Sequence, residues 1–571
     1  MPNKIPKQRI AFVLSGMMLA LAIVAWRIVV LSWFQHATYA EIARSQSEGV
    51  RNVLLRGNIY LSDSNGRERL VATNKKFPVL LLAPLEFSSE DSRITIAQLA
   101  SVSGASVEAI SGAVTSGASG VRVVQKKLTD QQAKTIETLR IPGVSIGYET
   151  DRSYPSGLLA ADAIGFLGYS ATGRSGQYGV ESSYEEQLTG RAPQASRVRW
   201  KIWEQLFSYF GFHNDGTVIE DSPNDLILSL DSNIQEYAQA VLTNVLKKYQ
   251  AASGTLIVQD PQTGKILALA DNPTYNPNAY GNATTESFRI GALSPFEPGS
   301  SMKPFTIAMG LERQLITPET TFLDSGDVIV DGYNIKNYNE GHFGLVTMTR
   351  ILEKSINTGV MWVQQKVGNE SFRDFTVNFG FGQQTGVDLP GESSGDISNL
   401  YRENRIYFMT ASFGQGITVT PLQLISDYSA IANGGSLMRP YIVDAIRDAH
   451  GVVTKTQPKV MGTPISPRTA AQLRAMLTSV VDNGFDKARI PRYDVAGKTG
   501  TAQIASPTGG YLENQYNHSF VGFAPASNPR FVILIRMEKP KGITFAADSL
   551  SPAFRDMAKY LLDYMNIPPT R

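Results

Sequence analysis

The chain has 571 residues, of which 42% are hydrophobic and 18% charged, so it is long enough for several domains with sizeable cores. Its formal net charge of +2 leaves no surplus of cations for phosphate groups, and we expect no nucleic-acid partner. Cysteine is absent, and the five histidines lie far apart along the chain. Thiolate nucleophiles and cysteine-ligated metals are therefore excluded, and no metal or cofactor is predicted.

A long apolar run near the N-terminus predicts one membrane-spanning helix over residues 10–34. Cations precede the run at Lys4 and Arg9, so the positive-inside rule places residues 1–9 in the cytoplasm. We therefore expect a single-pass protein of the inner (cytoplasmic) membrane whose remaining residues are extracytoplasmic. The alternative is a cleaved signal peptide, because Ala20-Leu21-Ala22 resembles a cleavage site, but the apolar run continues past it.

The next region, residues 35–225, mixes short strand-like runs, helical stretches and turns, which predicts a mixed α/β domain. Residues 101–120 are rich in Ser, Gly and Ala and predict a flexible tip. The basic and aromatic stretch 197–212 fits either a segment that lies at a membrane surface or one that packs within this domain. Turn-forming residues at 222–225 mark the boundary with the next domain.

From residue 226 onwards the hydrophobic patterns of strands and helices are more regular. A strand-like run at 226–231 and an amphipathic helix at 232–250 are followed by two strands within 254–271, joined by a turn. Near the C-terminus, three further strand-like runs precede a closing helix at 551–566. Strands at both ends with a helical middle predict an α+β fold, in which helices cover an antiparallel sheet.

The only Ser-x-x-Lys pair of the chain is Ser300 and Lys303, directly after the turn residues Pro298-Gly299. A helix that opens at Ser300 places Lys303 on the same face of its first turn, where the amine can take the proton of the hydroxyl. Taken alone, the pattern fits a helix-capping serine and a surface lysine equally well.

Two more patterns carry hydroxyl, amide and amine groups. Ser355 offers a hydroxyl that can relay a proton, and Asn357 offers an amide that can hold a peptide carbonyl and a lysine. Ser222-Pro223-Asn224 has the same spacing but precedes Ser300 and lies at the domain boundary. The only Lys-Thr-Gly of the chain, in Lys498-Thr499-Gly500-Thr501, fits a strand that docks an extended peptide and holds its carboxylate, or else an ordinary strand with a turn.

In this order, Ser-x-x-Lys, Ser-x-Asn and Lys-Thr-Gly form the signature of penicillin-recognising serine enzymes. Together with Gly414-Gln415-Gly416 and Asn433-Gly434-Gly435, they make residues 226–571 resemble the transpeptidase domain of class B penicillin-binding proteins. Residues 35–225 resemble the pedestal, or dimerisation-type, domain of the same family. The landmarks of that domain are Arg56-Gly57-x-Ile59, Arg152-x-Tyr154-Pro155 and Gly176-x-x-Gly179-Val180-Glu181.

The resemblance implies a monofunctional peptidoglycan D,D-transpeptidase, which cross-links stem peptides through a serine acyl-enzyme and is acylated by β-lactam antibiotics. Ser300 is then the nucleophile and Lys303 its base, and the backbone N–H groups of Ser300 and Thr501 form the oxyanion hole. The implied site residues are the catalytic Ser300, Lys303, Ser355, Asn357 and Lys498, and the substrate-binding Thr499, Gly500 and Thr501.

The resemblance also implies a partner. Residues before the boundary show no catalytic-glutamate domain for glycan polymerisation, so we expect a membrane glycosyltransferase of the wall-synthesis complex, with Arg27 as a candidate contact. The short pedestal and the absence of C-terminal repeats favour a septal role in cell division. The alternative is a role in side-wall elongation, which maintains cell shape.

Three other interpretations are weaker. A β-lactam sensor or hydrolase shares the three motifs, but neither needs a pedestal of this size. A catalytically silent scaffold is disfavoured because all the implied catalytic residues are present. A second nucleophile pattern, Gly-x-Ser-x-Gly at 391–395, lies in a polar loop without the strand-to-helix setting that such a nucleophile needs.

Overall fold

A computed structural model describes residue 18 and residues 55–87, 92–115, 120–170, 173–190, 222–338, 341–484, 486–506 and 510–571. The predicted anchor over 10–34, apart from Met18, and the segment 197–212 lie outside these described residues. Within them, no helix combines the length and apolarity needed to cross a bilayer. The described chain divides into two compact units, one formed by Leu55 and Lys76–Asp151 and the other by Arg56–Lys75 and the residues from Arg152 to Arg571.

Strands and helices are numbered here in chain order over the described ranges. The strands are β1 (Ile59–Ser62), β2 (Glu68–Leu82), β3 (Arg122–Gln125), β4 (Val144–Ser153), β5 (Phe166–Ser170), β6 (Gly173–Gln177), β7 (Asp225–Asp231), β8 (Ser253–Gln259), β9 (Ile266–Asn272), β10 (Thr321–Asp324), β11 (Asp327–Val330), β12 (Tyr333–Lys336), β13 (Gly344–Thr347), β14 (Leu437–Met438), β15 (Val443–Arg447), β16 (Val453–Lys455), β17 (Val460–Gly462), β18 (Ala496–Ala505), β19 (Tyr511–Ala524) and β20 (Phe531–Glu538). The α-helices are α1 (Ser92–Ser103), α2 (Val107–Thr115), α3 (Asp130–Leu139), α4 (Ala161–Ile164), α5 (Gly179–Ser183), α6 (Glu185–Thr189), α7 (Ser232–Tyr249), α8 (Lys303–Glu312), α9 (Met348–Glu353), α10 (Asn357–Val367), α11 (Asn369–Asn378), α12 (Arg405–Ser412), α13 (Pro421–Ala432), α14 (Pro467–Asn483) and α15 (Ala546–Tyr564).

The first unit has a small core of its own, beneath α1, α2 and α3. The second half of β2 pairs antiparallel with β3, and β4 also pairs with β2. Leu80, Leu99 and Ile110 are fully buried between these elements. The prediction of a flexible tip over 101–120 was therefore wrong for the part that forms α2, because Ile110 and Val114 recur at helical spacing and pack on this core.

The second unit is built on an antiparallel sheet with the strand order β18-β19-β20-β8-β9. Helices α7 and α15 pack on each other, with the rings of Tyr237 and Tyr560 stacked 4.0 Å apart. Helices α13 and α14 form a second packed pair that also contacts the sheet. The predicted antiparallel sheet with helical cover is confirmed, including the turn at Asp260–Gly264 between β8 and β9.

A second set of strands in this unit joins distant parts of the chain. Strand β7, predicted as a strand near the domain boundary, pairs in parallel with β1 and antiparallel with β15. Ile59 of β1 lies opposite Leu226 of β7, and both side chains are fully buried. The segment Arg56–Lys75 is thereby part of the same compact unit as the large C-terminal sheet.

The three sequence landmarks of the pedestal meet in a buried ion cluster. The fully buried Glu181 pairs with Arg56 at 2.8 Å and with Arg152 at 2.7 Å, and the Tyr154 hydroxyl donates to it at 3.2 Å. Burial raises the pKa of the Glu181 carboxyl, but the two arginines outweigh burial and hold this pKa below its usual value. The side-chain amide of Asn278 bonds the backbone N–H and carbonyl of Tyr154, which connects the cluster to the region before Ser300.

Candidate active site

Ser300 lies in a 3-10 turn, Gly299–Met302, that leads directly into α8 at Lys303. We predicted an α-helix opening at Ser300, and the tighter turn has a physical cause. Pro304 has no N–H to bond the Ser300 carbonyl in the α-helical manner, so the N–H of Lys303 bonds it instead. Residues three apart in a 3-10 turn are eclipsed, which stacks the half-buried Ser300 above the fully buried Lys303.

Neighbouring segments hold this turn on more than one side. Gly299 has a φ of +54°, in the left-handed region that favours glycine, and its N–H donates to the Gly414 carbonyl at 3.0 Å. The hydroxyl of Tyr428, from α13, donates to the Ser301 carbonyl at 2.9 Å. The position of Ser300 is therefore fixed by the backbone around it.

Two buried lysines converge on one hydroxyl. Lys303 Nζ donates to the Ser355 carbonyl at 2.5 Å and to Ser355 Oγ at 3.1 Å, and Lys498 Nζ lies 3.1 Å from the same Oγ. Burial lowers the pKa of Lys498 to about 7. Burial, and secondly the charge of Lys498, lower the pKa of Lys303 well below its usual value. Ser355 thus bridges two amines that release protons far more readily than an exposed lysine.

The backbone of Ser355 adopts an unusual conformation. Its φ of +55° is left-handed, and it follows the end of α9, where the N–H of Ile356 bonds the Ile351 carbonyl at 2.9 Å. This is the position of a helix-ending motif that glycine normally occupies, and a side chain there costs about 1–2 kcal/mol. The strained conformation places the hydroxyl between the two lysines.

Asn357 opens α10 and is half-buried. Its side-chain amide donates to the Lys336 carbonyl at 3.1 Å, and its backbone N–H donates to Asn337 Oδ1 at 3.0 Å. The structure thus places Asn357 between the loop after β12 and the turn that contains Ser355.

A buried polar network behind Asn357 was missed by the sequence analysis. Asn337 Nδ2 lies 2.9 Å from both carboxylate oxygens of Asp324, and Thr358 Oγ1 donates to that carboxylate at 2.6 Å. Burial raises the pKa of Asp324, but the hydrogen bonds, first that of Thr358, outweigh burial and lower the pKa below its usual value. The three residues come from separate segments, so no local spacing in the sequence indicated them.

The Lys-Thr-Gly motif lies within β18, where this strand contacts the turn Gly299–Met302 that holds Ser300, the nucleophile turn. A Cβ atom at Gly500 would lie 2.7 Å from the Pro298 carbonyl oxygen and 2.3 Å from Ser519 Oγ, so only glycine fits there. Thr501 Oγ1 accepts the N–H of Ala546, the first residue of α15, at 3.2 Å. The O–H of Thr501 is not used in this hydrogen bond and can donate to another group.

The second nucleophile pattern, Gly-x-Ser-x-Gly at 391–395, lies in a loop. Ser393 Oγ accepts the N–H of Gly395 there at 3.2 Å. Over the residues that the structure describes, no group of three or more His, Asp or Glu side chains is arranged to hold a metal ion.

Comparison with known families confirms the resemblance inferred from the motifs. The penicillin binding protein transpeptidase domain matches residues 254–559, and the penicillin-binding protein dimerisation domain matches residues 53–199. The chain therefore belongs to the penicillin-binding proteins that combine a dimerisation domain with a transpeptidase domain.

Two relatives match this chain over most of both lengths. Stage V sporulation protein D of Bacillus subtilis is 32% identical over 525 residues, which cover 90% of this chain and 79% of the relative. Peptidoglycan D,D-transpeptidase FtsI of Escherichia coli K12 is 32% identical over 456 residues, which cover 78% of this chain and 72% of the relative.

Solved structures are similar to this chain as well. Penicillin binding protein 3 of Mycobacterium tuberculosis in complex with ampicillin has a TM-score of 0.68 at 25% identity. The match covers 90% of this chain and 97% of the M. tuberculosis chain. The same protein in complex with aztreonam has a TM-score of 0.64 at 30% identity, and covers 74% of this chain and 92% of its own.

Proposed function

We propose that this chain is a peptidoglycan D,D-transpeptidase that works through a serine acyl-enzyme on Ser300. The observation that carries the proposal is the buried bridge from Lys303 through Ser355 to Lys498, one turn away from a half-buried serine. A serine nucleophile needs an adjacent base that is neutral near physiological pH, and a buried lysine beside a second cation is such a base.

In the acylation step, Ser300 Oγ attacks the penultimate carbonyl carbon of a stem peptide that ends in D-alanyl-D-alanine. Lys303 takes the hydroxyl proton, and the backbone N–H groups of Ser300 and Thr501 bind the developing oxyanion. Ser355 passes a proton to the leaving nitrogen as the C–N bond breaks, and the terminal D-alanine departs. An ester between the peptide and Ser300 remains.

In the second step, an amine of a neighbouring stem peptide attacks this ester. The new amide bond forms the cross-link as the bond to Ser300 Oγ breaks. Lys303 transfers the proton lost by the amine to Ser300 Oγ. Before acylation, Asn357 holds the amide of the bound stem peptide, and Thr499 and Thr501, with Gly500 between them, hold the carboxylate of its terminal D-alanine beside Lys498. β-Lactams enter the same site and acylate Ser300, which the ampicillin and aztreonam complexes of the M. tuberculosis protein support.

The proposed organisation has a cytoplasmic segment (1–9), an anchor (10–34), a pedestal (35–225) and a transpeptidase domain (226–571). The two family matches fall within the last two regions, which supports this division. The proposed location is the cytoplasmic membrane, with the catalytic domain on its extracytoplasmic side. The proposed partner is a membrane glycosyltransferase, and Arg27→Leu is expected to reduce its recovery with the protein, so unchanged recovery would exclude this contact.

A septal role in cell division is proposed over side-wall elongation. The similarity to Stage V sporulation protein D of B. subtilis and to peptidoglycan D,D-transpeptidase FtsI of E. coli supports it. Depletion of the protein is expected to produce filaments that lack septa, whereas rounded cells would indicate the side-wall role.

The experiment that tests the activity is intact-mass spectrometry of the protein incubated with benzylpenicillin, followed over hours, with the Ser300→Ala variant in parallel. A single adduct that persists and is absent from the variant is expected. An adduct that forms and clears would instead indicate a hydrolase. No adduct on folded protein would contradict the proposed enzyme and favour a scaffold.

A further inference from the structure

A cavity of about 480 Å³ lies beside α13, and its walls also include residues of α11, β14 and β17. The lining includes none of the proposed catalytic or substrate-binding residues. The exposed Gln383 and Gln384 lie at its edge, so the cavity opens to the surface. Its volume falls in the range of sites that bind small organic molecules.

One wall of this cavity carries a buried carboxyl without a partner. Asp427 is 1% exposed, and neither of its oxygens has a hydrogen-bond partner among the described residues. Burial raises the pKa of this carboxyl well above its usual value. Buried polar groups are almost always paired, so this one calls for a partner that the described residues do not provide.

The side-chain amide of Gln423, in the same wall, is already engaged with other groups. The amide nitrogen of Gln423, one turn before Asp427, donates to the carbonyls of Gln383 and Ser394 at 2.6 and 2.8 Å. Its amide oxygen accepts the N–H of Thr420. Asp427 is the only ionisable side chain among the described residues that line the cavity, so a cation that pairs with it there would belong to a bound molecule.

The rest of the wall is suited to a hydrocarbon. It includes the apolar side chains of Leu437, Met438, Pro440, Met461 and Pro464. A metal ion would need several oxygen ligands, and the described residues contain no group of three acidic or histidine side chains that could provide them. We propose that this cavity binds a small organic amine, whose ammonium group pairs with Asp427 while its hydrocarbon body contacts the apolar wall.

This amine site is linked to the nucleophile turn by adjacent residues. Tyr428, next to Asp427 on α13, donates to the Ser301 carbonyl, and its ring packs edge-on against Phe305. Phe305 in turn packs edge-on against Phe379, which lines the cavity. Three successive contacts, Phe379–Phe305, Phe305–Tyr428 and Tyr428–Ser301, therefore connect the cavity wall with the turn that holds Ser300.

The test compares phenethylamine with its uncharged analogue 2-phenylethanol, by ligand-observed NMR titration of the full chain. Asp427→Asn keeps the shape of the carboxyl but removes its charge, and is expected to weaken amine binding about tenfold or more while leaving the alcohol unaffected. Asp556→Asn, an exposed aspartate on α15, is the matched control and should bind the amine like the parent protein.

A second variant keeps the test decisive if Asp427→Asn does not fold. Met461 is half-exposed on β17 and lines the cavity, so Met461→Trp narrows it without touching Asp427. Loss of amine binding in this variant, with the melting temperature retained, supports the site. Equal amine binding by the parent protein and Asp427→Asn, or no amine binding by the parent protein, would overturn the proposal.

Discussion

The chemistry proposed for single residues depends on two lysines that are kept away from water. Lys303 and Lys498 are both fully buried, and both amines meet the hydroxyl oxygen of Ser355. Charging one amine therefore raises the free energy of charging the other, which keeps one of them neutral.

The Lys498→Met variant tests this mutual effect. Because the charge of Lys498 lowers the pKa of Lys303, its removal should raise that pKa. The base must be neutral to act, so the acid limb of the pH profile for acylation by nitrocefin should move to higher pH by about one unit. The exposed Lys455→Met is the control and should leave the profile in place. An unshifted acid limb in Lys498→Met would show that the two amines do not interact.

The left-handed backbone of Ser355 leads to a second prediction. Ser355→Gly removes the strain of a side chain at this position and should raise the free energy of unfolding by up to about 1 kcal/mol. It also removes the hydroxyl between the lysines, so acylation should fall about 100-fold or more. Ser355→Ala should lose the same activity without the gain in stability. Urea unfolding and stopped-flow acylation measure both effects, and equal stability of the two variants would contradict the assigned strain.

At the scale of elements, local signals in the sequence were enough to predict several strands and helices. The β8–β9 hairpin was predicted from two apolar runs around a turn-forming segment, and the closing helix predicted at 551–566 corresponds to α15, which begins earlier, at Ala546. The 3-10 turn at Ser300 was not predicted, although its cause, Pro304, is visible in the sequence. The network around Asp324 could not be predicted, because it forms only when three distant segments meet.

The contact between β18 and the nucleophile turn leads to a prediction about stability and acylation. Gly500→Ala places a methyl group against the Pro298 carbonyl and Ser519, so it should lower the free energy of unfolding by about 1–3 kcal/mol and slow acylation. Gly281→Ala is the matched control, because a Cβ atom there meets nothing within 4 Å, and its effect should stay within about 0.5 kcal/mol. If urea denaturation gives the two variants equal stability, the contact does not restrict residue 500.

For the whole molecule, the buried cluster around Glu181 joins segments that are far apart in sequence. Its members were identified as landmarks in the sequence, but their pairing follows only from the fold. Glu181 pairs with two buried arginines, Arg56 and Arg152, and is buried together with them, while Glu185 pairs with Arg56 as well.

The Glu181→Gln variant should therefore be strongly destabilised. It removes the carboxylate that pairs with both buried arginines and leaves Arg56 only its ion pair with Glu185, which lowers the free energy of unfolding by about 3–5 kcal/mol. Glu236→Gln breaks the exposed pair with Arg69 and should change stability by less than about 1 kcal/mol. Thermal and urea unfolding measure both variants, and a similar loss in both would mean that burial of the cluster has no special effect.

The parallel pairing of β1 with β7 has a practical consequence for any shortened version of this protein. A chain that starts at Asp225 retains every proposed catalytic residue, but β7 loses the partner strand that Arg56–Lys75 supplies. The uncovered N–H and carbonyl groups of β7 then offer a template on which other copies can add strands, and such a fragment is prone to aggregate. Material for crystallisation or inhibitor screening therefore has to retain the residues from Arg56 onwards.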